Sequence, residues 1–264
     1  MKLGFIGARN MAKAMIGGIL KNNIFKPEEV IASDLYEPGL RQAKESLGIH
    51  VTTDNKEVAR TAEVLVLSVK PQFYDAVIKE IKELITETQI IVTIAPGKTL
   101  EYLAGAFEKP VKLVRTMPNT PALVGEGITG VCRNDLVTKE ELDYICNILS
   151  GFGMAQVLSE NLMDVVVSVS GSSPAYVFML IEAMADGAVA DGMPGQQAYQ
   201  FAAQAVLGSA KMVLETGKHP GELKDMVCSP AGTTIEAVRV LEAKGFRSSV
   251  IEAMKACVKK AKGL

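Results

Sequence analysis

Along the first part of the chain, short apolar runs alternate with longer mixed stretches. KLGFI, EEVIASD, AEVLVLSV, QIIVTIA and VKLVRTM are rich in Val, Ile and Leu and lack a steady apolar–polar alternation. Strands read this way when both sheet faces are covered, as in a parallel sheet flanked by helices. Between the runs lie stretches of helical length, at residues 10–21, 36–47 and 74–85. The pattern predicts a doubly wound, mostly parallel α/β domain. From about Asn161 the pattern changes. Residues 162–191, 196–216, 221–227, 233–244 and 246–262 all read as helix, separated by DGMPG, TGKHPGE, SPAGT and KGF, each with the Gly or Pro that punctuates helices. The predicted division is an α/β domain at 1–160 and an all-α domain at 161–264. Within the second, PAYVFMLIEAM is apolar around most of its circumference, so it must be buried on several sides. Two readings account for it: an interface between two copies, and a core helix buried by its own chain.

Composition narrows the classes. With 264 residues, 48% hydrophobic and 22% charged, the chain has enough apolar material for a full core in two modest domains or one large one. A net charge of −2 weighs against a nucleic-acid surface, which needs a basic patch. No run reaches the roughly 18 consecutive apolar residues of a membrane span, and no secretory signal pattern opens the chain. Four scattered cysteines without a C-x-x-C pair, and two histidines, give no basis for a metal site. The expectation is a cytoplasmic protein with reduced, buried cysteines, and no nucleic-acid or membrane partner.

The candidate chemistry begins at GFIGARNMA, which follows the first predicted strand and opens the first predicted helix. It resembles the dinucleotide-binding G-x-G-x-x-G/A turn, with Gly7 first and Ala12 third, but Arg9 stands at the middle glycine. Asp34 closes the second predicted strand, at the spacing where an acid reaches a ribose hydroxyl; its plainer reading is a helix cap. SVKPQ (68–72), IAPG (94–97) and RTMPNTP (115–121) also sit at strand ends, where doubly wound sheets bind ligands. In the helical half, SGSSPAY (170–176) and CSPAGTTIEA (228–237) place small and hydroxyl residues just before a helix. The amides of a helix start can hold an anion such as a carboxylate; ordinary N-capping is the alternative. His219 precedes PGEL and reads as a surface or capping residue, leaving no plausible catalytic histidine.

Together GFIGARNMA, SVKPQ, RTMPNTPA, SGSSPAYVF and HPGELKDMVCSPAGTTIEAVRVLE resemble pyrroline-5-carboxylate reductase, from Leu3 almost to the C-terminus. The resemblance implies a Rossmann domain followed by a helical dimerisation domain, with the active site between them and homo-oligomers built from dimers. It also implies reduction of the cyclic imine 1-pyrroline-5-carboxylate to L-proline by NADPH or NADH, the last step of proline synthesis. Carried over residue by residue, it assigns cofactor binding to Ile6, Gly7, Ala8, Arg9, Asn10, Met11, Asp34, Asn55, Val69, Lys70, Pro71, Gln72, Ala95, Pro96 and Gly97. Thr234 matches a hydroxyl beside the substrate nitrogen, and Ala231, Gly232 and Thr233 supply amides for the carboxylate. Glu160 matches an acidic residue near the substrate, with a solvated charge as its plainer reading. Two positions depart from the family pattern on the expected cofactor surface, Arg9 for glycine and Pro96 in a turn that is usually Ala-Ala-Gly; in the substrate half SPAGTT for SPGGTT reads as a mild change.

The chemistry asks little of side chains beyond alignment and exclusion of water. A neutral threonine is no strong acid, so its part is to hydrogen-bond the imine or a proton-delivering water. Two rivals are weighed. A related β-hydroxyacid or imine reductase should carry a lysine on the long helix after SGSSPAY, but that helix holds Glu182, Asp186 and Asp191 and no lysine before Gly192. A non-catalytic nucleotide sensor would follow if Arg9 crippled the turn. The expectation for Arg9 is a guanidinium aimed at the cofactor's phosphates, in a working loop. For the cofactor, Asp34 favours NADH, with NADPH also accepted.

Overall fold

The computed structural model describes residues 1–263. Its first elements are β1 (Leu3–Ile6), α1 (Asn10–Lys21), β2 (Val30–Ser33), α2 (Glu37–Leu47), β3 (His50–Thr52), α3 (Asn55–Thr61) and β4 (Val64–Leu67). There follow α4 (Tyr74–Ile81), β5 (Ile90–Thr93), α5 (Leu100–Phe107), β6 (Lys112–Met117), β7 (Gly127–Arg133), α6 (Lys139–Leu149) and β8 (Gly153–Val157). The rest is helical: α7 (Met163–Val166), α8 (Ser173–Ala190), α9 (Gly195–Thr216), α10 (Pro220–Val227), α11 (Thr233–Ala243) and α12 (Phe246–Ala261). The chain divides into two compact units, one of Met1–Ser172 joined by the residues from Val258 on, the other Ser173–Cys257. By contacts, then, the boundary falls twelve residues beyond the point where the hydrophobic pattern changes, and the C-terminal end returns to the first unit.

The first unit is built on an eight-stranded sheet in the order β3-β2-β1-β4-β5-β6-β7-β8. Every pairing is parallel except β6 with β7. The apolar runs lack alternation because both faces are sealed. Leu3, Phe5, Val64, Val66, Ile90 and Val92 join one core with Ile16 and Ile19 of α1, while Leu65, Leu67 and Ile91 join the other with Ile78 and Ile81 of α4. Each fully buried Leu or Ile contributes about 1.5–3 kcal/mol. The strand order reverses at β1, flanked by β2 and β4, and this reversal is where such sheets bind ligands.

β3, β7 and β8 were not read from the apolar pattern. In β7 and β8 glycine interrupts the apolar run because the backbone must come close: a Cβ on Gly153 would lie 1.9 Å from the Gly127 carbonyl oxygen, and one on Gly127 2.8 Å from the Phe152 carbonyl oxygen.

In the second unit α8 packs on α9. Its buried apolar residues are small for the most part, Ala185, Ala198, Ala202 and Leu223. Phe178, Met179, Phe201 and Leu214 are exposed on the single chain. Helical backbone covers Glu160–Ala190, long and apolar enough by length and composition to cross a membrane, although no apolar run in the sequence reaches that length unbroken. Only 6% of its most apolar window is buried within the chain. The periodicity reading that PAYVFMLIEAM is buried by its own chain therefore does not hold.

Candidate active site

The loops after β1, β2, β4 and β5 converge at the sheet's reversal. Gly7 takes φ +102°, a conformation that disfavours side chains, and a Cβ there would sit 2.8 Å from the Ser68 carbonyl. Ser68 Oγ closes the same junction, donating to the Gly7 carbonyl at 2.6 Å. Glycine at 7 thus lets the β1 and β4 ends meet. α1 then begins at Asn10 with Met11 beside it. Its N-cap, Arg9, makes no side-chain capping bond, so the helix start keeps its amides for an anion. Val69 and Lys70 lead into a short 3-10 turn at Pro71–Phe73 that includes Gln72. Across from it, Ala95 and Pro96 run into Gly97, at φ +75° with open space where a Cβ would be. Buried Tyr74 braces the two loops, its hydroxyl donating to the Leu67 carbonyl and pairing with Thr93 Oγ1, both at 2.7 Å. Burial pushes its phenol up to about 12. Ile6, at the end of β1, is sealed in the core, so only its backbone can face a ligand. These residues fit a nicotinamide dinucleotide: an uncapped helix start for the pyrophosphate, an acid at the end of β2, and loops after β4 and β5 beside the reversal.

Asp34 does not cap α2. Its Oδ1 accepts the Tyr36 amide at 3.0 Å, short of the helix's first turn, and α2's own N-cap, Tyr36, makes no side-chain bond. Its Oδ2 accepts the Ala8 amide at 2.9 Å, so the carboxylate braces the glycine turn directly. Arg9 Nε lies 4.0 Å from that same oxygen. The guanidinium therefore leans toward the end of β2, whereas the sequence expectation aims it at the cofactor's phosphates in general. Asn55 starts α3 and accepts from Ser33 Oγ at 2.8 Å while donating to Glu80 at 2.8 Å. That places an amide side chain beside the end of β2.

A second polar cluster escaped the sequence reading. Arg115, on β6 and almost fully buried, pairs with Glu160 Oε1 at 3.0 Å and with Asp164 Oδ1 at 3.7 Å. Glu160 Oε1 also accepts the Leu100 amide at 2.7 Å. Glu160 is thus neither a solvated charge nor free of protein partners. Burial, reinforced by the nearby Glu160 carboxylate, pushes the Cys132 thiol up to about 11.

The SGSSPAY stretch shows how its proline is accommodated. Pro174 has no N–H, so the Ser170 carbonyl loses the donor a regular helix would give it. The backbone there widens to a π-helix over Val167–Gly171, and Asn119 Nδ2 donates to the Ser170 carbonyl at 3.1 Å. The Asn119 Oδ1 accepts the Ile128 amide at 2.9 Å, so both ends of this buried side chain are used. Asn119 is the residue of RTMPNTP that ties the β6 end to the helix.

In the helical unit, the Gly232 amide donates to the Ser229 carbonyl at 3.1 Å, closing a turn with Pro230 second and Ala231 third. Ala231 takes φ +58°, the sign that a type II turn demands at its third position and glycine usually supplies. SPAGTT for SPGGTT, mild by its sequence, is therefore a conformationally loaded change. Gly232 is the N-cap of α11 and offers no side-chain cap, so the amides of Thr233 and Thr234 stand at an open helix start. His219 does cap a helix: its Nδ1 accepts the Gly221 amide at 3.0 Å at the start of α10.

Comparison with known proteins places both halves. Residues 160–264 match the family model for pyrroline-5-carboxylate reductase dimerisation, and residues 2–97 match that for NADP oxidoreductase, coenzyme F420-dependent. The chain is 51% identical to a pyrroline-5-carboxylate reductase from Escherichia coli over 263 residues, covering 100% of this chain and 98% of that one. It is 46% identical to one from Methanosarcina acetivorans, covering 96% and 94%. Among solved structures it superposes on a pyrroline-5-carboxylate reductase from Coxiella burnetii with TM-score 0.93 at 34% identity, covering 99% and 97%. It superposes on the NADP-bound Plasmodium falciparum pyrroline carboxylate reductase with TM-score 0.90 at 30% identity, covering 100% and 97%.

Proposed function

The chain belongs to the pyrroline-5-carboxylate reductase family, and from that premise we propose how its residues divide the reduction of 1-pyrroline-5-carboxylate to L-proline with NAD(P)H. The observation that carries the reading is a pair of uncapped helix starts, one in each unit: α1 behind Gly7 and α11 behind the Ala231 turn. The first suits a pyrophosphate, the second a small carboxylate. Bound NAD(P)H supplies the hydride that adds to the imine carbon.

The nucleotide-binding role falls to residues 1–160 and the substrate and assembly role to residues 161–264. Gly7, Ala8, Asn10 and Met11 present backbone to the cofactor's phosphates, with Asp34 and Asn55 at the ribose end. Val69 to Gln72 and Ala95 to Gly97 line the nicotinamide side. The amides of Ala231 and Thr233 hold the substrate carboxylate; the Gly232 amide, also expected there from the sequence, is instead committed to the Ser229 carbonyl and shapes the turn. The Thr234 hydroxyl donates a hydrogen bond to the imine nitrogen, or to a water that protonates it. No strong acid is required, because the imine can take its proton from solvent before hydride arrives. For Glu160, the bonds to Arg115 and the Leu100 amide favour a positioning role that fixes the β6 end. The chain works as a homo-oligomer, and the exposed apolar faces of α8 and α9 are the surfaces that a second copy covers.

The test is steady-state reduction of pyrroline-5-carboxylate by the purified full chain with each cofactor. Proline should form in step with NADPH or NADH oxidation. A chain that binds nicotinamide nucleotide, forms its oligomer and yet gives no proline would instead be a nucleotide sensor.

A further inference from the structure

We infer that Arg9 is a cofactor-discriminating residue, its guanidinium forming a receptor for the ribose 2′-phosphate of NADP(H). The inference rests on the dinucleotide reading of the β1–α1 turn and deepens it.

An acid at the end of β2 ordinarily takes the two ribose hydroxyls and repels a 2′-phosphate. Here Asp34 is placed differently. Its side chain is only 12% exposed, and its oxygens already accept the Ala8 and Tyr36 amides. The carboxylate is turned inward to hold the loop and has less of its charge to present outward. Arg9 has the opposite character: its side chain is 65% exposed.

The placement of the guanidinium selects which phosphate it serves. Arg9 is the N-cap of α1, so its backbone lies at the pyrophosphate end of the site. Its side chain, however, reaches toward the end of β2, where the adenosine ribose sits in such folds, with Nε 4.0 Å from Asp34 Oδ2. At 4.0 Å the contact is an ion pair rather than a hydrogen bond, so the planar fork of N–H donors remains for a ligand. A phosphate on the 2′ oxygen would bring dianionic acceptors beside that fork, the pairing in which arginine makes two parallel bonds. The same cation offsets the Asp34 charge that would otherwise repel it. Arginine in place of glycine thus trades backbone clearance for recognition of the NADP(H) phosphate.

The test uses two probes that differ only by the 2′-phosphate, 2′,5′-ADP and 5′-AMP, titrated calorimetrically into the full apo chain. Arg9→Gly should weaken 2′,5′-ADP at least about tenfold, the scale of one lost charge-assisted contact, and move 5′-AMP by no more than about twofold. Arg9→Lys should restore part of the difference, and Arg9→Gln should reproduce the loss without changing the turn's backbone freedom. Thermal midpoints matching wild type serve as the folding control. In turnover, the ratio of kcat/KM for NADPH over NADH should fall in step. Equal weakening of both probes would assign Arg9 to the shared pyrophosphate site and overturn the inference, as would no change in either. Wild-type chain that binds neither probe nor NADPH would overturn the dinucleotide reading itself.

Discussion

The two units use apolar side chains in opposite ways. In the sheet-bearing unit Phe5, Ile16, Leu65, Tyr74 and Phe107 are sealed by their own chain, in cores on both faces of the strands. In the helical unit the sealed positions are chiefly alanines, and Phe178, Met179, Phe201 and Leu214 face outward. The first unit closes its core internally, with a sheet that supplies two faces and helices for each. The second has helices without a layer to cover them, and its family model is one of dimerisation. On the proposed reading, what looks like a poorly packed domain is one part of a packed assembly.

The largest effect that can break this comparison is a charge on the exposed face. Phe178→Glu would place a carboxylate on the face proposed above to be covered by a second copy, and burying an unpaired charge is strongly unfavourable. Light scattering should show loss of the oligomer, and activity at assay concentrations should fall by roughly a hundredfold or more, the population shift of about 3 kcal/mol. Leu65→Ala is the counterpart in the self-sealed unit. It should destabilise by about 2–5 kcal/mol without altering the oligomer. A fully active Phe178→Glu monomer would end the argument that the two units differ in kind.

Next in size is Thr234→Ala. Because Gly232 is the cap of α11, the Thr234 hydroxyl is not needed to cap that helix. The variant should lower kcat at least about tenfold, the low end of help with proton transfer. Nucleotide binding should be unaffected. The defect should deepen as pH rises, since less of the imine is then protonated before hydride arrives. A stable variant with wild-type kcat from acid to alkaline pH would remove the hydroxyl from the chemistry.

The smallest expected effect is that of Ala231→Gly. Relief of the positive φ is worth about 1–3 kcal/mol, offset by roughly 0.5–1 kcal/mol of added chain entropy. A net gain of about 1 kcal/mol in chemical denaturation is expected, with little change in kcat. A loss of stability would mean that the turn is held so firmly by Pro230 and the Gly232–Ser229 bond that the alanine carries no strain.

Much of the sheet was legible in the sequence, for a physical reason. Strands β1, β2, β4, β5 and β6 are covered on both faces, so they appear as unbroken apolar runs, and α1 begins and ends where the pattern places it. β7 and β8 are not legible because Gly127 and Gly153 are required by close backbone approach, and with Gly130 packed against the Val166 side chain they erase the apolar signal. The candidate site divides similarly. Motifs within one loop, such as GFIGARNMA and SPAGTT, announced themselves. The Arg115–Glu160 pair joins residues 45 positions apart, and no local pattern signals it. The SGSSPAY stretch reads only as a helix start, and nothing nearby in sequence names Asn119 as the group that answers the Ser170 carbonyl.

The outward-facing side chains of α8 and α9 also bear on how much of this protein a cell can keep. A lone chain shows Phe178 and Phe201 to chaperones and proteases, and a second copy seated as proposed above would withdraw them. Survival of each copy then rises with the number of others present, so the steady-state level climbs more steeply than the rate of synthesis. A low-expressing cell would then lose proportionately more of the protein than its transcript indicates, and a defective copy that still pairs would be shielded from disposal by its healthy partner.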